Sequence, residues 1–182
     1  MSRIIVAFTG LAGAGKSTAA LRLVDRHGYT RVKFADPLKN MLRTFGMNER
    51  EIEGDLKERP CKLFDGEATP REAMQHLGTK WGRELCKNIW INAWRAKVDD
   101  LPEVIPVIAD DCRFPNEAEA IVAARGFIVH IERPGATTTE SKHESEAHDL
   151  PRHCTIVNDG EISALHLAID ALHADLTWAQ AA

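Results

Sequence analysis

Apolar residues in this chain fall into short runs that alternate with longer stretches of helical spacing. Ile4 to Phe8 is a continuous apolar run ending in glycines, the pattern of a buried strand. From Lys16 to His27 the positions Ala20, Leu23 and Val24 recur at helical spacing, and Gly28 stands where a C-cap belongs. Thr30 to Phe34 alternates, with Val32 and Phe34 on one face and Arg31 and Lys33 on the other, as in a second strand. Asp36 and Pro37 then offer an N-cap and a first-turn proline to a helix whose stripe is Leu38, Met41, Leu42 and Phe45.

Residues 47–68 are highly charged and lack a long period, so they read as an inserted, partly irregular segment. Thr69-Pro70-Arg71-Glu72 has the form of a capping box with proline at the first helical position; Met74 and Leu77 follow, and Gly78 marks a stop. Helices resume over 79–86 and 89–101, the second with Trp90, Ala93, Trp94, Val98 and Leu101 on one stripe, which suits either a homodimer face or a buried intramolecular contact. Val104 to Ala109 is the third strand, with regular pairing expected from Val107 because Pro106 lacks a backbone donor. A helix from Pro115 to Gly126, a strand over 127–131, a polar connection over 133–152, a strand over 154–157 and a helix over 161–177 complete the pattern. The alanines from Ala179 read as an expendable tail.

Short strands alternating with helices predict an α/β three-layer fold, a central parallel sheet of about five strands with helices on both faces. We expect one domain over 1–182, with a core of 1–46 and 102–182, a helical insertion at about 47–101 and a short lid at about 133–152. A length of 182 residues with 44% hydrophobic composition suffices for one such core. The opening MSRIIVAFTG has too short an apolar run for a signal peptide or for the ~20 residues of a membrane span, which points to the cytoplasm and to no membrane partner. Cys61, Cys86, Cys112 and Cys154 form no C-x-x-C pair, so they read as packing residues of a reducing compartment. A net charge of -4 lacks the basic excess that a nucleic-acid polymer would require. His143, His148 and His153 recur every five residues without a closed ligand set and read as a polar loop, not a zinc site.

The chemistry begins at Gly10-Leu-Ala-Gly-Ala-Gly15-Lys16-Ser17. It matches G-x-x-x-x-G-K-[ST] and lies between an apolar strand and an amphipathic helix, the context that this phosphate-binding motif needs. Its glycines let backbone amides converge on phosphate oxygens, Lys16 reaches the β/γ oxygens of ATP, and the Ser17 hydroxyl can hold Mg²⁺. Ligands of open α/β sheets bind beyond the carboxyl ends of the strands. Those ends deliver Asp36, then Asp110, Asp111 and Arg113, then Arg133, then Asn158, Asp159 and Gly160. Asp111 is the favoured metal-side carboxylate; Asp110 and Asp111 also suit helix capping or an ion pair with Arg113, and Asp36 is already explained by a capping role.

With these residues assembled, the chain resembles the deoxynucleoside monophosphate kinases of tailed bacteriophages and prophages, within the adenylate-kinase-like group of P-loop kinases. The likeness rests on GLAGAGKST at 10–18, FADPLK at 34–39, TPREAMQHLGTKWGREL at 69–85, DCRFPNEAEAI at 111–121, RPG at 133–135, HESE at 143–146 and NDG at 158–160. It implies ATP and Mg²⁺ as cofactors, a small nucleotide as partner, and the host cytoplasm if the gene is a phage's. By similarity Gly13, Ala14, Gly15, Lys16, Ser17 and Thr18 would bind ATP phosphates, with Asn158 and Gly160 beside the adenine. Asp36, Lys39, Arg71, Gln75, Gly78, Trp81 and Arg83 would form the acceptor side within the insertion, which would then be the acceptor-binding part. Arg113 would approach the phosphates, and 133–152 would act as the lid.

A monophosphate attacks with an anionic oxygen, so alignment and charge neutralisation matter more than a general base. Lys16 and Mg²⁺ on the donor side, and Arg71, Arg83 and Arg113 on the acceptor side, are the expected actors, with Arg133 from the lid. A hydroxyl acceptor, such as a nucleoside or dephospho-coenzyme A, would need a base, and Asp36 could serve. A nucleotide-driven switch ranks below both, since N-K-x-D is absent from the sequence, as is a D-x-x-G after the third strand.

Overall fold

The computed structural model describes residues 3–135 and 150–181. The chain forms two compact units, Met1–Lys33 with Trp94–Ala182, and Phe34–Ala93.

In the first unit five strands run in the order β2-β3-β1-β4-β5: β1 (Ile5–Thr9), β2 (Thr30–Arg31), β3 (Val107–Ala109), β4 (Phe127–Glu132) and β5 (Cys154–Val157). Every pairing is parallel. The strand period of two divides the side chains between two faces. Val6, Phe8, Ile108, Val129 and Ile131 join Ala19, Ala20 and Leu23 of α1 (Lys16–His27) and Leu165, Ile169 and Leu176 of α7 (Ile162–Ala181) in one buried cluster. Their neighbours Ile5, Ala7, Val107, Ala109 and Ile128 are buried on the other face, where α6 (Pro115–Ala123) lies against β1 and β4. The sheet is thus covered on both sides, as expected.

Local signals set several boundaries. Helix α1 spans the expected residues and ends at Gly28 in a left-handed cap. Strand β3 begins at Val107, after Pro106. The second strand is shorter than expected, at two residues, although Val32 still donates to the Ile108 carbonyl at 2.9 Å. Helix α7 runs through the alanines to Ala181, so residues 179–181 are helix, not tail. On its outer side Arg22 makes a two-pronged ion pair with Asp170, at 2.9 and 2.6 Å, and His27 Nε2 lies 2.8 Å from the same carboxylate. His27 also stacks on His173 with ring centroids 4.0 Å apart.

The second unit contains α2 (Asp36–Thr44), α3 (Glu49–Ile52), a 3₁₀ turn at Lys62–Phe64, α4 (Pro70–Gln75) and a π-helical segment, His76–Arg83. Helix α5 (Ile89–Asp99) contains the division between the units. Leu38, Leu42, Met47, Ile52, Cys61, Met74 and Trp90 form the second unit's core. Helix α2 thus belongs to the second unit, and residues 94–101 to the first. Two further expectations are corrected. Ala35 is the N-cap of α2 and Asp36 its first helical residue; the stripe stops short of Phe45, which is exposed. Gly78 does not stop the helix, because the chain widens into π-helical turns and continues. Of the two readings of the α5 stripe, burial of Trp90, Trp94 and Val98 within the chain favours the intramolecular contact. The Thr69–Glu72 capping box forms as read. Of the cysteines, Cys61 and Cys112 are buried, whereas Cys86 and Cys154 are exposed.

Candidate active site

Strand β1 leads directly into the loop Gly10–Gly15, and α1 begins at Lys16. Gly15 has φ +104°, and a Cβ there would collide with the side-chain amide of Asn158. That amide donates to the Ala14 carbonyl at 2.8 Å, so the turn after β5 braces the loop from behind. Lys16 is 8% exposed. Its ammonium donates to the Gly10 and Leu11 carbonyls at 2.6 and 2.7 Å, which holds it over the loop. The loop amides and the positive end of α1 favour an anion at this place.

Ser17 Oγ donates to Asp110 Oδ2 at 2.9 Å. Asp110 follows β3 and is 4% exposed. Burial opposes its charge, yet the Arg31 guanidinium, with Lys33 and the Ser17 hydroxyl, holds its carboxyl below the usual range. The sequence favoured Asp111 for the metal side; the carboxylate that meets Ser17 is its neighbour, and Asp111 is half-buried beside it. An octahedral Mg²⁺ at 2.0–2.1 Å from its ligands sets adjacent oxygens about 2.9 Å apart. The neutral Ser17 hydroxyl and the ionised Asp110 carboxylate fit that spacing, and both are hard oxygen donors of the kind that the ion selects.

The segment after Asp111 is fixed by one buried acid. Glu117, 3% exposed, accepts from the Arg113 and Phe114 backbone amides at 2.9 and 3.1 Å. Glu117 thus sets the backbone from which Arg113 projects, a role that the sequence reading missed although the residue lies within DCRFPNE. Arg31 was missed as well. Alternation assigned it to a polar face, and pairing of Arg31 with Ile108 shows that this face is the one α1 covers.

In the second unit Lys39 is buried and its ammonium pairs with Glu53 at 2.7 Å. Arg71 pairs with Glu58. Asp36, Gln75, Gly78 and Arg83 are half-buried, and Trp81 is exposed. The π-helical segment carries Gly78, Trp81 and Arg83 together. Its Gly82 has no room for a Cβ, which would overlap the Trp90 indole, while Trp90 Nε1 donates to the Gly78 carbonyl at 2.8 Å. Trp90 is therefore a packing and bracing residue.

Arg133 follows β4 and is exposed, as are Asp159 and Gly160 after β5. Most of the expected lid, with Lys142, the HESE at 143–146 and His143 and His148, lies outside the described residues. His153 pairs with the start of β4, its Nδ1 accepting from the Ile128 amide at 3.0 Å.

A protein of Acanthamoeba polyphaga mimivirus, provisionally assigned as a deoxynucleotide monophosphate kinase, is 35% identical over 79% of this chain and 80% of its own. The chain belongs to the deoxynucleotide monophosphate kinase family. No family profile matches it. Among solved structures, the Thermus thermophilus protein TT1252 superposes with a TM-score of 0.53 at 21% identity, over 97% of this chain and 99% of its own. Shikimate kinase from Aquifex aeolicus follows at 0.51 and 12%, over 92% and 95%. At such identities these likenesses speak for the fold, that of the P-loop kinases. Membership in the kinase family, with the P-loop in its strand-to-helix setting, makes the chain a phosphotransferase that uses a nucleotide.

Proposed function

We propose that the chain transfers the γ-phosphoryl group of Mg-ATP to a deoxynucleoside monophosphate, giving the diphosphate. The observation that carries this reading is the phosphate loop ending in Lys16 and Ser17, with the Ser17 hydroxyl 2.9 Å from the buried Asp110 carboxylate. The monophosphate acceptor is supported by the mimivirus relative's name. Gly13 to Thr18 would hold the ATP phosphates, Lys16 neutralising them at close range, with Asn158 and Gly160 on the base side. Bound Mg²⁺ would draw charge from the phosphate oxygens, held by Ser17 and Asp110 with Asp111 behind. Asp36, Lys39, Arg71, Gln75, Gly78, Trp81 and Arg83 are assigned to the acceptor, and Arg113 and Arg133 to the transferring group. An anionic acceptor oxygen needs no strong base, so these cations supply alignment and charge neutralisation.

The test is ADP formation from Mg-ATP against a panel of deoxynucleoside and ribonucleoside monophosphates, nucleosides and dephospho-coenzyme A, with Lys16→Ala alongside. Turnover confined to monophosphates, and lowered about a hundredfold or more in the variant, is the expected result. Turnover on a hydroxyl acceptor would replace this reading with an Asp36-assisted one.

A further inference from the structure

Arg31 lies on β2 in register with Ile108, two residues short of Asp110. Paired residues of parallel strands point to one face, so Arg31 and Asp110 both project toward the side on which α1 begins. The guanidinium occupies the whole carboxylate: Nε donates to Oδ1 at 2.9 Å and Nη2 pairs with Oδ2. The same Nη2 donates to Ser17 Oγ at 3.2 Å. One cationic group thus bonds both oxygens, Ser17 Oγ and Asp110 Oδ2, that are spaced for a divalent cation.

The two partners differ in freedom. The Asp110 side chain is 2% exposed and the Arg31 side chain 25%. The carboxylate is fixed in the core, whereas the guanidinium has solvent into which it can withdraw. A guanidinium and a divalent cation held on the same two oxygens would repel at close range, and Lys33 already bears on this carboxylate. We infer that Arg31 is a built-in competitor of the metal: it neutralises Asp110 and engages Ser17, and it must release both oxygens when Mg²⁺ enters with the nucleotide. Arg31 thereby sets the Mg²⁺ concentration at which the nucleotide is bound tightly. This inference rests on the Mg-nucleotide reading of the site.

The experiment titrates ADP calorimetrically into the whole protein at a series of Mg²⁺ concentrations, for wild type, Arg31→Gln and Arg31→Lys, with melting followed in parallel. In Arg31→Gln the Mg²⁺ concentration giving half of the metal-dependent gain in ADP affinity falls about tenfold, the worth of one charge-assisted contact. Arg31→Lys, which keeps the charge but not the fork, lies between, and covers the case in which the Gln variant does not fold. Without metal the Gln variant melts below wild type, because Asp110 has lost its partner, and Mg-ADP restores it disproportionately. An unchanged Mg²⁺ requirement in both variants, or a raised one, would overturn the inference and make Arg31 an orienting group for Asp110. Wild-type ADP binding that ignores Mg²⁺ would remove the Mg-nucleotide reading itself, and the inference with it.

Discussion

The side-chain amide of Asn158 stands against Gly15 where a Cβ would otherwise project, and donates to the Ala14 carbonyl at 2.8 Å. Loop and brace are therefore fitted to each other. Asn158→Ala removes one hydrogen bond, worth about 1 kcal/mol, and is expected to weaken ADP binding about fivefold. Asn158→Asp turns an oxygen toward the carbonyl and should weaken it further. Calorimetric affinities in the order wild type, Ala, Asp would confirm the brace; three equal affinities would show that the loop holds its shape unaided.

Glu117 is the acid on which the turn after β3 hangs. Glu117→Ala leaves the Arg113 and Phe114 amides without their acceptor in a buried place, at a cost of about 2–3 kcal/mol in urea unfolding. Because Arg113 is then no longer positioned, kcat should fall by a larger factor than KM for ATP rises. Glu117→Gln retains an acceptor oxygen and should recover most of both.

Trp90 braces the segment assigned to the acceptor. Trp90→Phe loses the bond to the Gly78 carbonyl, and the expected signature is a higher KM for the monophosphate with KM for ATP unchanged. Gly82→Ala forces a methyl group into the Trp90 indole and should cost about 1–3 kcal/mol of stability. Equal changes in both KM values for Trp90→Phe would contradict the acceptor assignment.

The ion pair between α1 and α7 supplies a pH dependence. The Arg22 guanidinium, then His27, hold the Asp170 carboxyl well below the usual carboxylate range. A depressed folded-state pKa means stabilisation that is whole above the unfolded value, about pH 4, and lost as pH falls toward the lowered one. Asp170→Asn should therefore be less stable than wild type at pH 7, and the gap should close as urea melts are carried to pH 3 and below. Added salt should narrow the gap at pH 7 as well, since the pair is partly exposed.

Features governed by neighbours in sequence were legible in advance. The loop and α1, the Gly28 cap, the Thr69–Glu72 box and the start of β3 after Pro106 all depend on residues a few positions apart. Features that depend on what packs above a residue were not. Alternation in 30–34 separated the two faces correctly, but nothing local shows that the Arg31 face lies under the start of α1 and beside Asp110. Gly78 failed as a stop because its carbonyl is taken up by Trp90, twelve residues on, in a wider helix that glycine tolerates. Asp110 and Asp111 are indistinguishable as letters. Strand parity decides which of them faces Ser17, and that parity becomes visible only in the register of β3 against its neighbours.

Strand β1 lies between β3 and β4, and all five of its residues are buried. Its amides are consequently among the last in the molecule to trade protons with solvent, opening only when the sheet as a whole comes apart. Gly13, a few residues later, is exposed, and its amide belongs to the fast end of the exchange scale. The phosphate loop thus joins backbone at the slow end of the exchange scale to backbone at the fast end. A nucleotide that settles on the loop extends the time scale of the sheet outward by several residues, and this lengthening of protection is a clock by which occupancy can be read without any chemistry taking place.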